Sequence, residues 1–538
     1  MNWLALGKQI IIKGDDGFMS QVERTEGRKK SRFDGFLNMV EQVGNKIPDP
    51  IVLFVVLTAA IIIISFIGSQ AGWSAIHPKD GSTVKVFNLL SSEGIQYMFS
   101  NVYQNFVGFS PFAIAISVFL AMGVITKSGL LDSWFINMAA SVSSRMLTVM
   151  IVFIGVESNI MGDIGFIVMP PLAAMLFVAM GRNPIVGMCC AYAAASCGLS
   201  ANLVIGLTDA RLAANTEVAA QIIDPKFIVS PTCNWYFIAA ATFVLTAVAS
   251  FVTETILEPH AGKWNKENAD KDLNLDFSSY KATPLQKHGM RMAGISAFIV
   301  LGLIALAAVP SWGALVNAKG LSVFSIPKTM IGAIVTTLIV VIMIPGMVYG
   351  RITGSIPNVQ AFGNAMSDGF KDIAPFAVMC FFAGQFTAWF AKSNLAIILA
   401  VHGANLLKNI GLKGLPLMLI LLIFFCLVNL FLPSANAKWA IMAPIFVPML
   451  MLLGYHPALT EIIYRMGDST TNAITPVLAY FAVMLGLVRR YDKNAGIGTV
   501  MSLLVPYTFY YFAAWAGLFA VWYLLGLPLG PGGPLFIQ

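Results

Sequence analysis

Arg465 and Asp468 stand three residues apart inside otherwise apolar, membrane-length sequence. On a helix that spacing places both side chains on one face. An arginine there can fork a carboxylate, and an aspartate can take up a proton or orient the arginine. The alternative is a buried ion pair that satisfies itself. Upstream lies Pro433-Ser434-Ala435-Asn436-Ala437-Lys438-Trp439, and downstream Ser469-Thr470-Thr471-Asn472. Trp439 offers a flat face for an aromatic ligand and an N–H donor. Taken alone, it reads as an interfacial tryptophan beside a snorkelling Lys438. Ionisable groups at membrane depth are costly, so they usually face a cavity, a partner or a substrate.

A second polar constellation lies far upstream. Glu157-Ser158-Asn159-Ile160-Met161-Gly162-Asp163 precedes Pro170-Pro171, and Gly198-Leu199-Ser200-Ala201-Asn202 precedes Thr208-Asp209. Small hydroxyl and amide residues at a helix break expose carbonyls that can coordinate Na⁺ and N–H groups that can hold anions. Ser158, Asn159, Asp163, Ser200, Asn202 and Asn472, with Asp209 and Asp468, are therefore candidates for coupling a cation or a proton. The competing readings are polar pairs that stabilise helix packing, and an Asp209 that marks the end of a span in water.

These groups need membrane helices to position them. The 538 residues are 57% hydrophobic and 11% charged, with mean hydropathy +0.78. Soluble domains carry about 25% charged residues. Apolar runs able to cross ~30 Å of hydrocarbon recur from residue 48 to residue 526. The ~10-residue alternating segments of a β-barrel are missing. The net charge of +7 sits mostly in a few loops, as membrane orientation demands, and does not indicate nucleic acid. The six cysteines lack metal spacing, and the five histidines show no i,i+4 pair for zinc. No phosphate-binding G-x-x-x-x-G-K-[ST] loop and no Ser/His/Asp set occurs, so neither ATP-driven transport nor an enzyme is expected. No cleavable signal peptide is visible.

Taken in order, 1–47 is a cytoplasmic N-terminal segment, since Arg28-Lys29-Lys30 and Arg32 precede the first span, Ile51–Ile67. Residues 48–256 form a first transmembrane half with one repeat, ending in Trp235–Phe251. A basic stretch at 257–291 is a cytoplasmic linker. Connecting helices fill 292–372, with crossings at Ala293–Val309 and Ile331–Ile344 and a loop at 350–372. The second repeat and last span, Leu503–Leu525, occupy 373–526, and 527–538 is a periplasmic tail.

The two apolar sets look alike. Ser110-Pro111-Phe112-Ala113 matches Ala374-Pro375-Phe376-Ala377, and Lys127-Ser128-Gly129-Leu130 matches Lys392-Ser393-Asn394-Leu395. Gly181-Arg182-Asn183-Pro184 aligns with Gly454-Tyr455-His456-Pro457, and Ser200-Ala201-Asn202 with Thr470-Thr471-Asn472. The first set starts from an outside loop and the second from an inside loop, which makes an inverted repeat typical of secondary transporters. Segments 129–145 and 394–408 read as re-entrant hairpins. The expected fold is an all-α polytopic membrane protein, an inverted-repeat transporter with broken helices.

At these motifs the chain resembles the p-aminobenzoyl-glutamate transporter (AbgT) family. The resemblance rests on Val43-Gly44-Asn45-Lys46-Ile47-Pro48, Gly198–Asn202 with Thr208-Asp209, Ala435–Trp439, Ala443-Pro444-Ile445-Phe446-Val447-Pro448-Met449 and Arg465–Asp468. It implies a homodimer in the bacterial inner membrane, with about nine spans and two re-entrant hairpins per subunit and a solvent-filled bowl facing the cytoplasm. It also implies import of the folate fragment p-aminobenzoyl-glutamate or expulsion of sulfonamide antimetabolites, coupled to H⁺ or Na⁺, with no cofactor. Functional positions carry over onto Asp209, Trp439, Pro457, Arg465, Asp468 and Pro476. The family's serine three residues before the tryptophan is Asn436 here. An amide still donates and accepts, so Asn436 joins the substrate-binding candidates. Trp439 would stack on the aromatic ring and Arg465 would pair with a carboxylate. A carrier of the Na⁺/dicarboxylate type is the rival, and the Trp439–Arg465 combination favours the aromatic acid.

Overall fold

The structure, a computed structural model, describes residues 50–76, 81–131, 133–134, 137, 146–161, 164–270, 282–317, 320–324, 327–432, 434–475 and 478–537. Asp163, Pro476 and Pro433 lie outside the described residues, as do most of 129–145 and the N-terminal basic cluster.

Helix α1 is Pro50–Gln70, followed by a small hairpin of β1 (Ser74–Ile76) and β2 (Thr83–Lys85). Helices α2 (Ser92–Val107) and α3 (Ser110–Ser128) lead to the first repeat: α4 (Leu147–Glu157), α5 (Ile164–Ala179), α6 (Pro184–Cys197) and α7 (Leu207–Ala220). Helix α8 (Trp235–Val252) continues through a π-turn, Thr253–Leu257, to Ala261. Then come α9 (Pro284–Ala308), α10 (Pro327–Thr353), α11 (Val359–Lys392) and α12 (Leu395–Ile410). The second repeat is α13 (Gly414–Asn429), α14 (Ala435–Met451), α15 (Pro457–Thr471) and α16 (Ala479–Tyr491). Helix α17 (Ile497–Leu524) closes the chain.

Among the described residues five helices are long and apolar enough to cross a membrane: Ile51–Gln70, Trp235–Ala261, Pro284–Ala308, Gly332–Thr353 and Ile497–Leu524. A sixth crossing is available where α11 meets α12 at a bend of 69°. Asn394, at φ 62°, makes that break, in the segment expected to re-enter the membrane. Exposed apolar side chains such as Phe298, Leu303 and Leu306 on α9 suit contact with lipid tails rather than water. The expected loop at 350–372 is mostly helical. Asn358 caps α11 by accepting from Ala361 N–H, so polar residues after it extend a helix instead of forming a loop.

The repeat helices have 11 to 17 residues. At 1.5 Å rise each is about 16–26 Å long, short of the hydrocarbon thickness. Each repeat runs helix, polar break, helix, tight turn, helix, polar break, helix. The tight turns are built alike. Gly181 (φ 70°) and Gly454 (φ 89°) take the left-handed backbone that a Cβ disfavours. Asn183 and His456 then cap the next helix, and Pro184 and Pro457 occupy its first position.

The two turns sit at opposite ends of α8. Arg182 Nε donates to Glu258 Oε1 at 2.8 Å, Arg182 Nη2 to Glu254 Oε1 at 2.8 Å, and Asn183 Nδ2 to the Gly262 carbonyl at 3.1 Å. These are groups at the C-terminal end of α8. The other turn is held by the C-terminal tail: His456 N–H donates to Leu535 O and Ile537 N–H to Gly454 O, both at 3.0 Å. That tail in turn binds the start of α8, where Phe237 N–H donates to Leu529 O. The repeats are therefore inverted. The protein is an all-α polytopic membrane protein with broken helices, and its helix count agrees roughly with about nine crossings.

Candidate functional site

The polar groups converge where α6, α7, α14 and α15 meet. The ends of α6 and α15 abut: Asn472 Nδ2 donates to Ser196 O at 3.3 Å, and Cys197 Sγ approaches Thr470 O at 3.4 Å. Arg465 and Asp468 do not pair with each other, contrary to the self-satisfied pair that their spacing suggests. Arg465 Nη2 lies 2.5 Å from Asp209 Oδ1, and Nη1 lies 3.7 Å from Glu461 Oε1 one turn back. Asp468 Oδ1 instead binds Lys438 Nζ at 2.6 Å. Residues three apart on a helix still differ by roughly 60° around its axis. That angle is enough to turn Arg465 toward α7 and Asp468 toward α14.

Lys438, expected to be only a neighbour of Trp439, is fully buried, and a buried ammonium requires a counter-ion. Asn429 completes this cluster. Its Oδ1 accepts from Lys438, and its Nδ2 lies 2.6 Å from Asp468 O, 3.0 Å from Thr471 Oγ1 and 2.8 Å from Asn472 Oδ1.

Asp209 is the joint between the repeats. It is the third residue of α7, where the helix N-terminus favours an anion. Its Oδ2 accepts from Gly206 N–H at 2.6 Å and from Asn202 Nδ2 at 2.9 Å, while Oδ1 takes Arg465. Asp209 is buried, which excludes its reading as a span end in water. Two turns along α7, Thr216 Oγ1 lies 2.7 Å from Glu461 Oε2 and accepts from Trp439 Nε1 at 2.9 Å. Asn234 Nδ2 donates to Glu461 Oε1 at 3.1 Å. The Trp439 indole stacks on Tyr464, with centroids 4.3 Å apart, and has no exposed surface. A ligand ring can stack on that face of Trp439 only when Tyr464 gives way.

The first break is close by. Ser158 Oγ donates to Gly155 O at 2.6 Å and Asn159 Nδ2 to Val156 O at 3.0 Å. Glu157 Oε1 accepts from Leu203 N–H at 3.1 Å, tying the break after α4 to the break after α6. Asn159 Oδ1 and Asn202 Oδ1 are buried without a hydrogen-bond partner among the described residues. Ser200 is buried beside them in sequence, and Asn472 belongs to the Lys438 cluster. Asn436 is half-buried, with no hydrogen-bond partner for Oδ1 among the described residues. Pro457 occupies the first position of α15, one turn before Glu461. Among the described residues no group of His, Cys, Asp and Glu could hold a metal.

Sequence reasoning missed Glu461, Thr216, Asn234 and Asn429 as members of this network. Two local signals were present. Glu461 stands four residues before Arg465, and Thr216 stands seven after Asp209, each on a shared helical face. Asn234 and Asn429 carry no such signal, because their partners lie on other helices.

The sequence pattern described as the AbgT putative transporter family matches residues 35–537. The p-aminobenzoyl-glutamate transport protein of Escherichia coli (strain K12) is 37% identical over 493 residues, covering 92% of this chain and 95% of that one. Among solved structures, the Alcanivorax borkumensis YdaH transporter, described as having an unusual topology, matches with TM-score 0.83 and 36% identity, over 90% of this chain and 100% of that one. Neisseria gonorrhoeae MtrF, described within a class of antimetabolite efflux pumps, matches with TM-score 0.86 and 37% identity, over 93% and 100%. This chain belongs to the AbgT family of membrane transporters.

Proposed function

We propose that this AbgT-family protein is a secondary active transporter of p-aminobenzoyl-glutamate, driven by a H⁺ or Na⁺ gradient across the bacterial inner membrane. The observation that carries this reading is the buried Arg465–Asp209 pair. It joins α15 of one repeat to α7 of the other, at the polar breaks of both. A substrate carboxylate competes with Asp209 for the guanidinium, so binding substrate and separating the repeats become one event. That is the coupling alternating access requires. Trp439 and Tyr464 supply the aromatic surface, and Lys438 a second buried cation for a dianion. The name of the Escherichia coli relative supports the substrate.

The free acceptor oxygens of Asn159 and Asn202 suit Na⁺, whose sites in broken-helix carriers are built from such oxygens. Asp209 and Asp468 suit protons. The homodimer, the cytoplasmic N-terminus and the division into two halves about the 257–291 linker belong to the same proposal. Efflux of sulfonamide-like antimetabolites is the second reading. It is favoured by the match to MtrF, at the same 37% identity as the p-aminobenzoyl-glutamate transport protein.

The test is flux of labelled p-aminobenzoyl-glutamate in proteoliposomes with H⁺ and Na⁺ gradients imposed separately. Uphill accumulation under one gradient is expected. No flux under either, together with sulfonamide movement, would replace the substrate reading with the efflux reading.

A further inference from the structure

Thr216 Oγ1 can bond all three of its polar neighbours at once only when Glu461 carries a hydrogen. Thr216 Oγ1 has three polar neighbours. Trp439 Nε1–H donates into it at 2.9 Å. Leu212 O, an acceptor only, lies at 2.9 Å in the i−4 position that helical threonines commonly bond. Glu461 Oε2 lies at 2.7 Å. A hydroxyl has one hydrogen to give. If it goes to Leu212, the short contact with Glu461 needs a hydrogen from Glu461.

The charges reach the same answer independently. Arg465 has two carboxylate neighbours. Asp209 is the nearer, at 2.5 Å, and takes two further N–H donors from Gly206 and Asn202. Glu461 stands back at 3.7 Å. Lys438, the other cation of this cluster, is already paired with Asp468. An ionised Glu461 would leave the cluster with a surplus buried negative charge, which is costly. The charged and titratable groups facing Glu461 are Arg465 on its own helix, Asp209 on α7 and Cys233 just before α8. Lys438, the remaining cation of the cluster, bonds Asp468 and Asn429 and makes no bond to Glu461 among the described residues.

We propose that Glu461 is a proton-binding site of the transport cycle, holding a proton on Oε2 while Arg465 is paired with Asp209. When the first repeat moves and Asp209 leaves, Arg465 loses its counter-ion. Glu461, one helical turn away on the same helix, replaces it by releasing the proton from Oε2 to water and becoming the carboxylate partner. One proton leaves and one carboxylate charge appears, so the guanidinium stays neutralised throughout. Thr216 joins this switch to Trp439, so disturbance of the indole reaches the proton directly. The inference rests on the transport reading for its cycle, but not for the presence of the proton.

Infrared spectroscopy of the purified full-length protein tests the proton without any substrate. At neutral pH the wild type is expected to show the carbonyl stretch of an un-ionised carboxylic acid, diminished in E461Q. Thr216→Val keeps Glu461 but removes its partner, and is expected to shift that band. No such band in the wild type, or a band unchanged in both variants, overturns the assignment. In proteoliposomes E461Q is expected to lose accumulation driven by a pH gradient while continuing solute exchange at equal pH. Accumulation by E461Q equal to wild type overturns the role in coupling. Absence of wild-type p-aminobenzoyl-glutamate flux would bring down the substrate reading alone and leave the infrared result standing.

Discussion

The two repeats use the same backbone instructions and opposite cores. Gly181, Pro184 and Pro171 have counterparts Gly454, Pro457 and Pro444, each 273 residues further on. With that register, the residues at Asn429, Lys438, Glu461, Arg465 and Asp468 correspond to Val156, Gly165, Met188, Tyr192 and Ala195. At each of these five positions the first repeat carries an apolar or small residue. Val156, Met188, Tyr192 and Ala195 are all fully buried. Where Lys438 fills space with a buried ammonium, Gly165 lies so close to Ser158 that a Cβ would sit 1.9 Å from its Oγ. The first repeat packs by size and the second by charge. The first contributes Asp209 across the interface to Arg465. Turn residues, caps and prolines specify the shared fold, and the interior side chains divide scaffold from chemistry.

The largest expected effect comes from breaking the Arg465–Asp209 charge pair between the two repeats. R465A leaves Asp209 buried without its cation, at a cost of about 3–5 kcal/mol. It is expected to abolish substrate flux. Adding D209A should recover stability in thermal unfolding without recovering flux. A single variant R465A that transports normally would remove the pair from the mechanism.

A smaller effect is expected when the second repeat is made to resemble the first. K438M alone strands Asp468 and should destabilise by about 3 kcal/mol, while K438M with D468L should unfold within about 1 kcal/mol of wild type. Uptake should stay low in both. Recovery of uptake in the double variant would show that this cluster is structural packing, as in the first repeat.

The smallest concerns the first repeat. G165A is expected to cost about 1–3 kcal/mol through overpacking against Ser158. Flux per folded molecule should change little. A loss of Na⁺ dependence at unchanged stability would instead place Ser158 and its break in the coupling chemistry.

Much of this was legible in the residues. Composition and hydropathy impose a membrane protein, because ~30 Å of hydrocarbon admits few charges and demands long apolar helices. Polar breaks at 157–163, 198–209 and 432–476 mark the site, since such groups persist at that depth only with a purpose. The turn motifs reveal the repeat. Asp209 and Arg465, both legible as polar residues in apolar sequence, are buried. What could not be read is who holds whom. Local spacing offers Asp468 to Arg465, yet the partner Asp209 is 256 residues away. Thr216 is 245 residues from Glu461 and 223 from Trp439. A side chain's few ångströms of reach are filled by whichever helix packs beside it, and sequence periodicity sets only the face it leaves from. The sequence by itself determined the membrane class, the repeats and the polar breaks. The tertiary structure decided the pairing of charges, the partner of Lys438 and the place of Glu461, because pairing depends on which helices the inverted repeat brings together.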